Sequence, residues 1–337
     1  MEKQKGSQTL NIQKVAALSG VSVATVSRVL NNNGPVSPVT RQKVESTIKE
    51  LNYIPNGLAR NFRMATSHTI LVILAELSNL FYIEIIKGIS EIVQQKDYDI
   101  LICETHTSPE KQISFLRKIE YKMADGAIVL DSPLQESQMR LFKKDLPIVQ
   151  CAEYNPDLSI PYVTLDNRRG GYIATNYLIR HGHRKIAFIG TDNDLCYNLE
   201  RKSGYTKALK EEGIPVSPEY IINCSLGFDG GMEAVKQLLQ LPTPPTALFF
   251  VSDMQAAGAV NYLNSNGYHV PDDIAVMGFD NIEMCKMVLP HITTVAQPMI
   301  DMGRRAAEML FHLMQDPNGT EYQNSIFQPE IVERDSV

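Results

Sequence analysis

The residues Asn11 to Asn31 read NIQKVAALSGVSVATVSRVLN, and the chemistry of this stretch gathers at its end. Val23, Ala24, Thr25, Ser27 and Arg28 fall on one side at helical spacing, with Ser22 before them and Asn31 after. An arginine can donate two parallel N–H bonds to a guanine edge. Small apolar groups meet thymine methyls, and serine or threonine hydroxyls reach phosphates or base edges. The set is suited to reading double-stranded DNA. To do so it must stand on a helix whose other face is buried. Val26 and Val29 supply that face, and Ser22 supplies the N-cap. A preceding helix, capped by Asn11 and apolar at Ile12, Val15, Ala16 and Leu18, must pack against it. Gly20 ends that helix, since glycine tolerates the positive φ of a tight turn, and Val21 packs beneath the turn. Two such helices form a helix-turn-helix, whose second helix enters the major groove. A plain helical hairpin is the alternative for the turn alone; the long matched run weighs against it.

A third helix follows. Pro35 and Pro38 mark the connection, Ser37 caps it with Pro38 at its first position, and Val44, Ile48 and Leu51 form its buried stripe. Three helices over some fifty residues make a minimal core. Tyr53-Ile54-Pro55 ends the third helix, and Asn56 then caps a candidate helix from Gly57 to Arg63. Seven residues beginning with glycine do not hold a helix in water unaided.

The net charge of the 337 residues is −6, which taken whole argues against nucleic acid. Its distribution argues the other way. Residues 1–66 hold nine Lys or Arg and three Asp or Glu, a net of +6; the rest holds 23 basic and 35 acidic residues, a net of −12. A basic head on an acidic body puts the phosphate-neutralising surface beside the reading helix. Hydrophobic content of 44% is ordinary for a globular protein. No run of about 20 apolar residues is present, so no membrane partner is expected. MEKQKGSQTL lacks the apolar core of a secretory signal, and the five cysteines are scattered, which together imply reduced thiols and a cytoplasmic protein.

From Thr69 onward strands alternate with helices. TILVILA, YDILICE, GAIVLD, LPIVQCA, KIAFIG, TALFFVS and IAVMGFD read as strands. IEIIKGISEIVQQ, PEKQISFLRKIEYK, RGGYIATNYLIRHG, ERKSGYTKALKEEG and MQAAGAVNYLNSNG read as helices. The pattern predicts an α/β core of two doubly wound parallel-sheet subdomains behind the three-helix head, with a ligand cleft between them. Phe81 and Tyr82 follow the first strand and could stack on a ring, although Tyr82 fits ordinary core equally well. Arg201 is placed at the opening of a helix, with a planar fork for carbonyls or hydroxyls. Asp253 and Asp280 end strands and would accept from sugar or ribose hydroxyls; for Asp253 a helix N-cap is the favoured reading. Cys224 and Cys285 read as packing.

GVSVATVSRVLN followed by VSPVTRQKVESTIKELNYIPN resembles the lactose-repressor (LacI) family. The resemblance continues through NLFYIEIIKGI, YVTLDN, LIRHGHRKIAFIG, LPTPPTALFFVSD, VPDDIAVMGFDN and ITTVAQPMIDMGRRAAEML, roughly residues 10–315. It implies a helix-turn-helix domain over 1–55, a hinge helix and linker over 56–67, and a periplasmic-binding-protein-like core over 68–337. In that core the N-subdomain would take about 68–166 and 298–326, and the C-subdomain about 167–297 and 327–337. The chain would cross between them near Asp166-Asn167, Gln297-Pro298 and Ile326-Gln328. In the hinge, Leu58 and Ala59 would form the helix–helix contact and Phe62 the wedge that kinks the minor groove. Leucine is usual at the wedge, so Phe62 is a departure; packing against the body of the protein is its other reading. Lys14 replaces an acidic residue usual in the first helix, and is expected to loosen its capping. By family position Arg201 and Asp280 are the foremost effector ligands, followed by Glu153, Leu226 and Gln297. Within the family, TILVI, EIIKGI, LPTPPTA and IGTDNDLCYNLERKSGY look most like the cytidine-repressor branch.

The resemblance implies a homodimeric regulator, most simply a repressor, that binds operator DNA under the control of a nucleoside or sugar. The competing class is a solute-binding component of a transport system, which has no use for residues 1–66. An enzyme is not expected, since no GxSxG, HExxH, GxxxxGK[ST] or GxGxxG motif occurs. Nor is a cofactor or metal: the His residues are dispersed, and HGH at 181–183 belongs to a turn.

Overall fold

A computed structural model describes residues 11–30, 33–53, 66–130, 135–142, 146–193, 195–316 and 324–337. The chain forms two compact units, Met1–Ser67 and His68–Val337. The first holds α1 (Ile12–Ser19), α2 (Val23–Leu30) and α3 (Pro38–Glu50). Asn11 caps α1, its Oδ1 accepting from the Lys14 N–H at 3.0 Å, so Lys14 does not disturb the cap as expected. Gly20 ends α1 at φ 63°. Val15, Ala16, Val26, Val29, Val44 and Tyr53 are buried together. One expectation needs correction. Leu18 lies 58% exposed, and the buried polar residues Ser19 and Thr47 stand on the inner faces of α1 and α3. Both hydroxyls donate to the carbonyl four residues back, Ser19 to Val15 and Thr47 to Lys43, so their burial leaves no polar group unmet.

The second unit contains two six-stranded sheets. The N half is built from β1 (Thr69–Leu74), α4 (Leu80–Gln95), β2 (Asp99–Glu104), α5 (Pro109–Glu120), β3 (Gly126–Val129), α6 (Glu136–Met139), β4 (Ile148–Cys151) and β5 (Tyr162–Leu165). The C half is built from α7 (Asn167–Arg180), β6 (Ile186–Thr191), α8 (Cys196–Glu211), β7 (Ile221–Cys224), α9 (Phe228–Leu239), β8 (Ala247–Phe250), α10 (Asp253–Ser265), β9 (Ala275–Asp280) and β10 (Thr293–Ala296). The chain then returns to the N half as α11 (Met299–Gln315) and β11 (Ser325–Phe327), and ends with β12 (Glu330–Val332) in the C half. The N-half order is β11-β5-β4-β3-β1-β2, all parallel. The C-half order is β12-β10-β9-β8-β6-β7, with the edge strand β12 antiparallel to β10, so that sheet is not purely parallel.

The two halves share one winding. In each, the order reverses beside the first strand, β1 or β6, and in such sheets ligands bind at the carboxyl ends of the strands near that reversal. Each sheet is covered on both faces, which is why β1, β3, β6, β8 and β9 are almost wholly apolar and buried. Ile282 of the C half is buried in the N-half core cluster with Tyr82.

Candidate functional site

In the first unit α2 presents the candidate reading face. Ser22 Oγ accepts from the Thr25 N–H at 3.1 Å and shares a hydrogen bond with Thr25 Oγ1 at 2.9 Å, which fixes the start of the helix. Val26 and Val29 turn inward, while Val23, Ala24 and Arg28 are exposed and Thr25 and Ser27 half-buried. The hydrophobic seam thus sets the rotation of α2, and rotation alone decides which side chains face outward. Asn31, Asn56, Leu58, Ala59 and Phe62 lie outside the described residues.

In the core, the candidate effector residues gather at the carboxyl ends of strands. Arg201 lies within a helix, and its expected place needs correction. α8 begins at Cys196, so Arg201 sits in its second turn. There the residue is only 5% exposed. Nε donates to Asn167 Oδ1 at 2.9 Å and Nη1 to the Val251 carbonyl at 2.5 Å. Nη1 lies 3.7 Å from Asp280 Oδ1, and the guanidinium carbon 3.4 Å from the Phe279 ring centroid. Gly171 makes this possible: a Cβ there would stand 2.1 Å from the Arg201 carbonyl, so only glycine lets α7 approach α8 so closely. Burial lowers the Arg201 pKa, and the Asp280 carboxylate opposes that shift.

Asp280 ends β9 at φ 118°, and Asn281 follows at φ 63°. Gln297 Nε2 donates to Asp280 Oδ1 at 2.7 Å, and the Gln297 N–H to the Asp280 carbonyl at 3.3 Å. Asp253 is not the N-cap of α10. Ser252 holds that role, its Oγ accepting from the Met254 N–H at 3.2 Å. Asp253 is fully buried one residue later. It accepts from Thr294 Oγ1 at 2.6 Å and from the Ile282 N–H at 3.0 Å, tying β10 and the loop after β9 to α10. Burial raises the pKa of both carboxyls.

The N half contributes fewer polar groups. Asn79 caps α4 and places Phe81, half-buried, in edge contact with Tyr82, their ring centroids 5.5 Å apart. Tyr82 is buried in the core cluster, the second of the two readings it left open. Glu153 follows β4. Its Oε1 accepts from the Cys196 N–H at 2.8 Å and its Oε2 from the Tyr197 N–H at 3.3 Å. These are first-turn donors of α8, a helix of the opposite half whose own N-cap, Leu195, has no side chain able to accept. Ala152, at φ 71°, turns the chain out of β4 to aim Glu153 there. Burial pushes the Glu153 carboxyl up to about 7, against the pull of those two N–H groups. Leu226 lies half-buried against the C-half core.

Three partners were missed by sequence reasoning. Asn167 orients Arg201, Thr294 braces Asp253, and Thr191 joins Asn193 and Tyr197 in a polar cluster at the end of β6. A polar residue at or just beyond the end of a buried strand is the available signal for Asn167, two residues after β5, and for Thr191, the last residue of β6. Among the described residues no group of His, Cys, Asp or Glu has the arrangement of a metal site, and no helix is long and apolar enough to cross a membrane.

Comparison with known proteins adds the identity. The model of "Bacterial regulatory proteins, lacI family" matches residues 11–56, and that of "Periplasmic binding protein-like domain" matches residues 175–337. The HTH-type transcriptional regulator RegA of Clostridium saccharobutylicum is 38% identical over 97% of this chain and 98% of its own. The HTH-type transcriptional repressor CytR of Escherichia coli (strain K12) is 36% identical over 94% of this chain and 93% of its own. A solved transcriptional regulator CelR–cellobiose complex is 29% identical, covers 97% of this chain and 100% of its own, and superposes with a TM-score of 0.74. These relatives are regulators rather than enzymes or transport components, and the chain belongs to the lacI family of DNA-binding transcriptional regulators.

Proposed function

We propose that this regulator is a repressor that binds a palindromic operator as a homodimer and responds to a nucleoside or sugar held between the two halves of its core. The working division is a DNA-binding domain over 1–55, a hinge and linker over 56–67, and the effector core over 68–337. Val23, Ala24 and Arg28 read each half-site, with Ser22, Thr25 and Ser27 on the phosphates or base edges. Asn31, Asn56, Leu58, Ala59 and Phe62 complete the contact, Phe62 as a wedge in the minor groove. β2 is the outer strand of its sheet and exposes Leu101 and Ile102, which supports pairing of two copies through the core.

The observation that carries the effector reading is the fixed Arg201–Asp280 pair. Two Arg201 nitrogens are already bound, so the fork is locked in orientation before any ligand arrives, and Nη2 takes part in neither bond. A locked donor beside a buried acceptor suits vicinal hydroxyls, which offer both roles at once. Phe81 and Tyr82 supply an apolar wall from the N half. Glu153, Leu226, Asp253 and Gln297 complete the proposed site, Asp253 from behind it. The solved CelR relative in complex with cellobiose keeps a sugar in view.

A thermal-shift screen against nucleosides, monosaccharides and disaccharides including cellobiose tests the reading. A ligand at about 100 times its Kd stabilises the fold by about 2.7 kcal/mol. Stabilisation by one class, abolished by Asp280→Asn, supports the site. A screen in which neither class stabilises the protein removes the effector assignment and leaves the regulator without it.

A further inference from the structure

The last residues of the chain do more than close the C-half sheet. Beyond β12, the Arg334 N–H donates to Thr293 Oγ1 at 3.0 Å, its Nη1 to the Ile292 carbonyl at 2.7 Å, and its Nη2 to Asn281 Oδ1 at 2.6 Å. Ser336 is fully buried. Its Oγ donates to the Val276 carbonyl at 2.6 Å and accepts from the Thr293 N–H at 2.8 Å, while the Val276 N–H donates to the Ser336 carbonyl at 2.8 Å. The tail is therefore stitched to both β9 and β10, and Arg334 reaches the loop that follows Asp280.

That loop needs holding. Asp280 and Asn281 are consecutive non-glycine residues at positive φ, 118° and 63°. Asparagine visits the left-handed region readily, but φ 118° is sparsely populated for aspartate and persists only where surrounding contacts over-determine it. Asp253 grips the loop from the far side through the Ile282 N–H, and Gln297 grips Asp280 itself. Asn281, between them, is gripped through its side chain by Arg334. Arginine suits the role because its planar fork reaches two acceptors in one fixed geometry, here the Ile292 carbonyl and Asn281 Oδ1.

We propose that Arg334 is a positioning residue for the effector site: the C-terminal tail fixes Asn281 and so sets the orientation of the Asp280 carboxylate toward the ligand. This rests on the reading of Asp280 as an effector ligand, but the geometry it concerns can be measured without any ligand.

The test is hydrogen exchange of the full-length protein followed by mass spectrometry, on wild type, Arg334→Ala, Arg334→Lys and Asn281→Gly. Loss of a charge-assisted hydrogen bond predicts exchange at the Ile282 amide faster by about tenfold or more in Arg334→Ala. Exchange within β8 and α10 should stay at the wild-type level. Asn281→Gly removes the same bond from the other side and should reproduce the pattern should Arg334→Ala fail to fold. Arg334→Lys, which keeps charge but not the fork, should fall between. In a second arm, the thermal shifts produced by cytidine and by cellobiose are compared between wild type and Arg334→Ala. A shift in wild type that is lost in the variant supports the proposal. Unchanged exchange at Ile282 overturns it, as does a uniform rise across the C half, which would make Arg334 merely a fold-holding residue. Failure of both probes on wild type counts against the effector reading instead, and the exchange result still decides the role of Arg334.

Discussion

Arg28 and Arg201 are the same side chain in opposite circumstances. Arg28 stands exposed on α2, its stem passing Gly34, where an added Cβ would lie 3.6 Å from its Cδ. Arg201 is buried, bonded at two nitrogens and stacked on Phe279. A surface reader must leave its donors to the partner, because a donor already satisfied within the protein carries no sequence information. An arginine inside a core must be satisfied first, because an unpaired buried charge costs several kcal/mol. On the proposed reading, the first region specifies by what it leaves open, and the second by what it has already fixed.

The sharpest break of that contrast is Arg201→Ala. It leaves Asp280 without its cation in a buried site, and should cost about 3–5 kcal/mol of stability. Thermal or urea denaturation of the core checks it; a loss below about 1 kcal/mol would mean that Arg201 is not the compensating charge. Next is the pH dependence set by Glu153. Its carboxyl is held at about 7 against an ordinary 4.5 by burial, so the folded core binds that proton more tightly than the unfolded chain. Its contribution to stability is therefore present in full below about 4.5 and is lost as the pH rises through about 7, a fall of at most about 3 kcal/mol. Asp253 and Asp280 shift in the same direction, so the comparison with Glu153→Gln isolates the term. A variant whose stability falls as steeply as wild type over that window would refute it. Smallest in stability is Arg28→Ala, expected to change the fold by less than about 0.5 kcal/mol. Operator binding should instead weaken by about 1–3 kcal/mol, with specificity relaxed at one base pair per half-site. A binding titration against operators varied at single positions reads this; intact specificity would remove Arg28 as a base reader.

Much of this organisation is legible in the residues themselves. Asn11, Gly20, Ser22 and Ser37 announce the helix ends of the head because capping is local chemistry. β1, β6 and β9 are legible because a strand buried on both faces must be apolar throughout. What escapes is what depends on distant contacts. The sequence places the start of α8 too late because Leu195, its N-cap, has no side chain able to accept; the acceptor is Glu153, more than forty residues earlier. Asp253 and Ser252 are adjacent, and both residue types cap helices, so composition could not choose between them. Leu18 fits the apolar period of α1 yet faces outward, since eight residues make barely two turns and do not define a stripe uniquely. Helix α9, with Gly230-Gly231 in its first turn, gives a poor propensity signal. The tail from Arg334 to Ser336 has no periodicity at all, and its bonds appear only once β9 and β10 are side by side.

The tie between Glu153 and the first turn of α8 joins the two halves within one chain. Its strength is governed by an effective concentration set by the connecting segments, rather than by how much protein is in the tube. Dilution that would separate the protomers of the proposed homodimer leaves this tie untouched, whereas titration of the carboxyl or a competing acceptor acts on it at any dilution. Opening of the core and dissociation of the proposed homodimer can therefore be told apart by varying protein concentration alone.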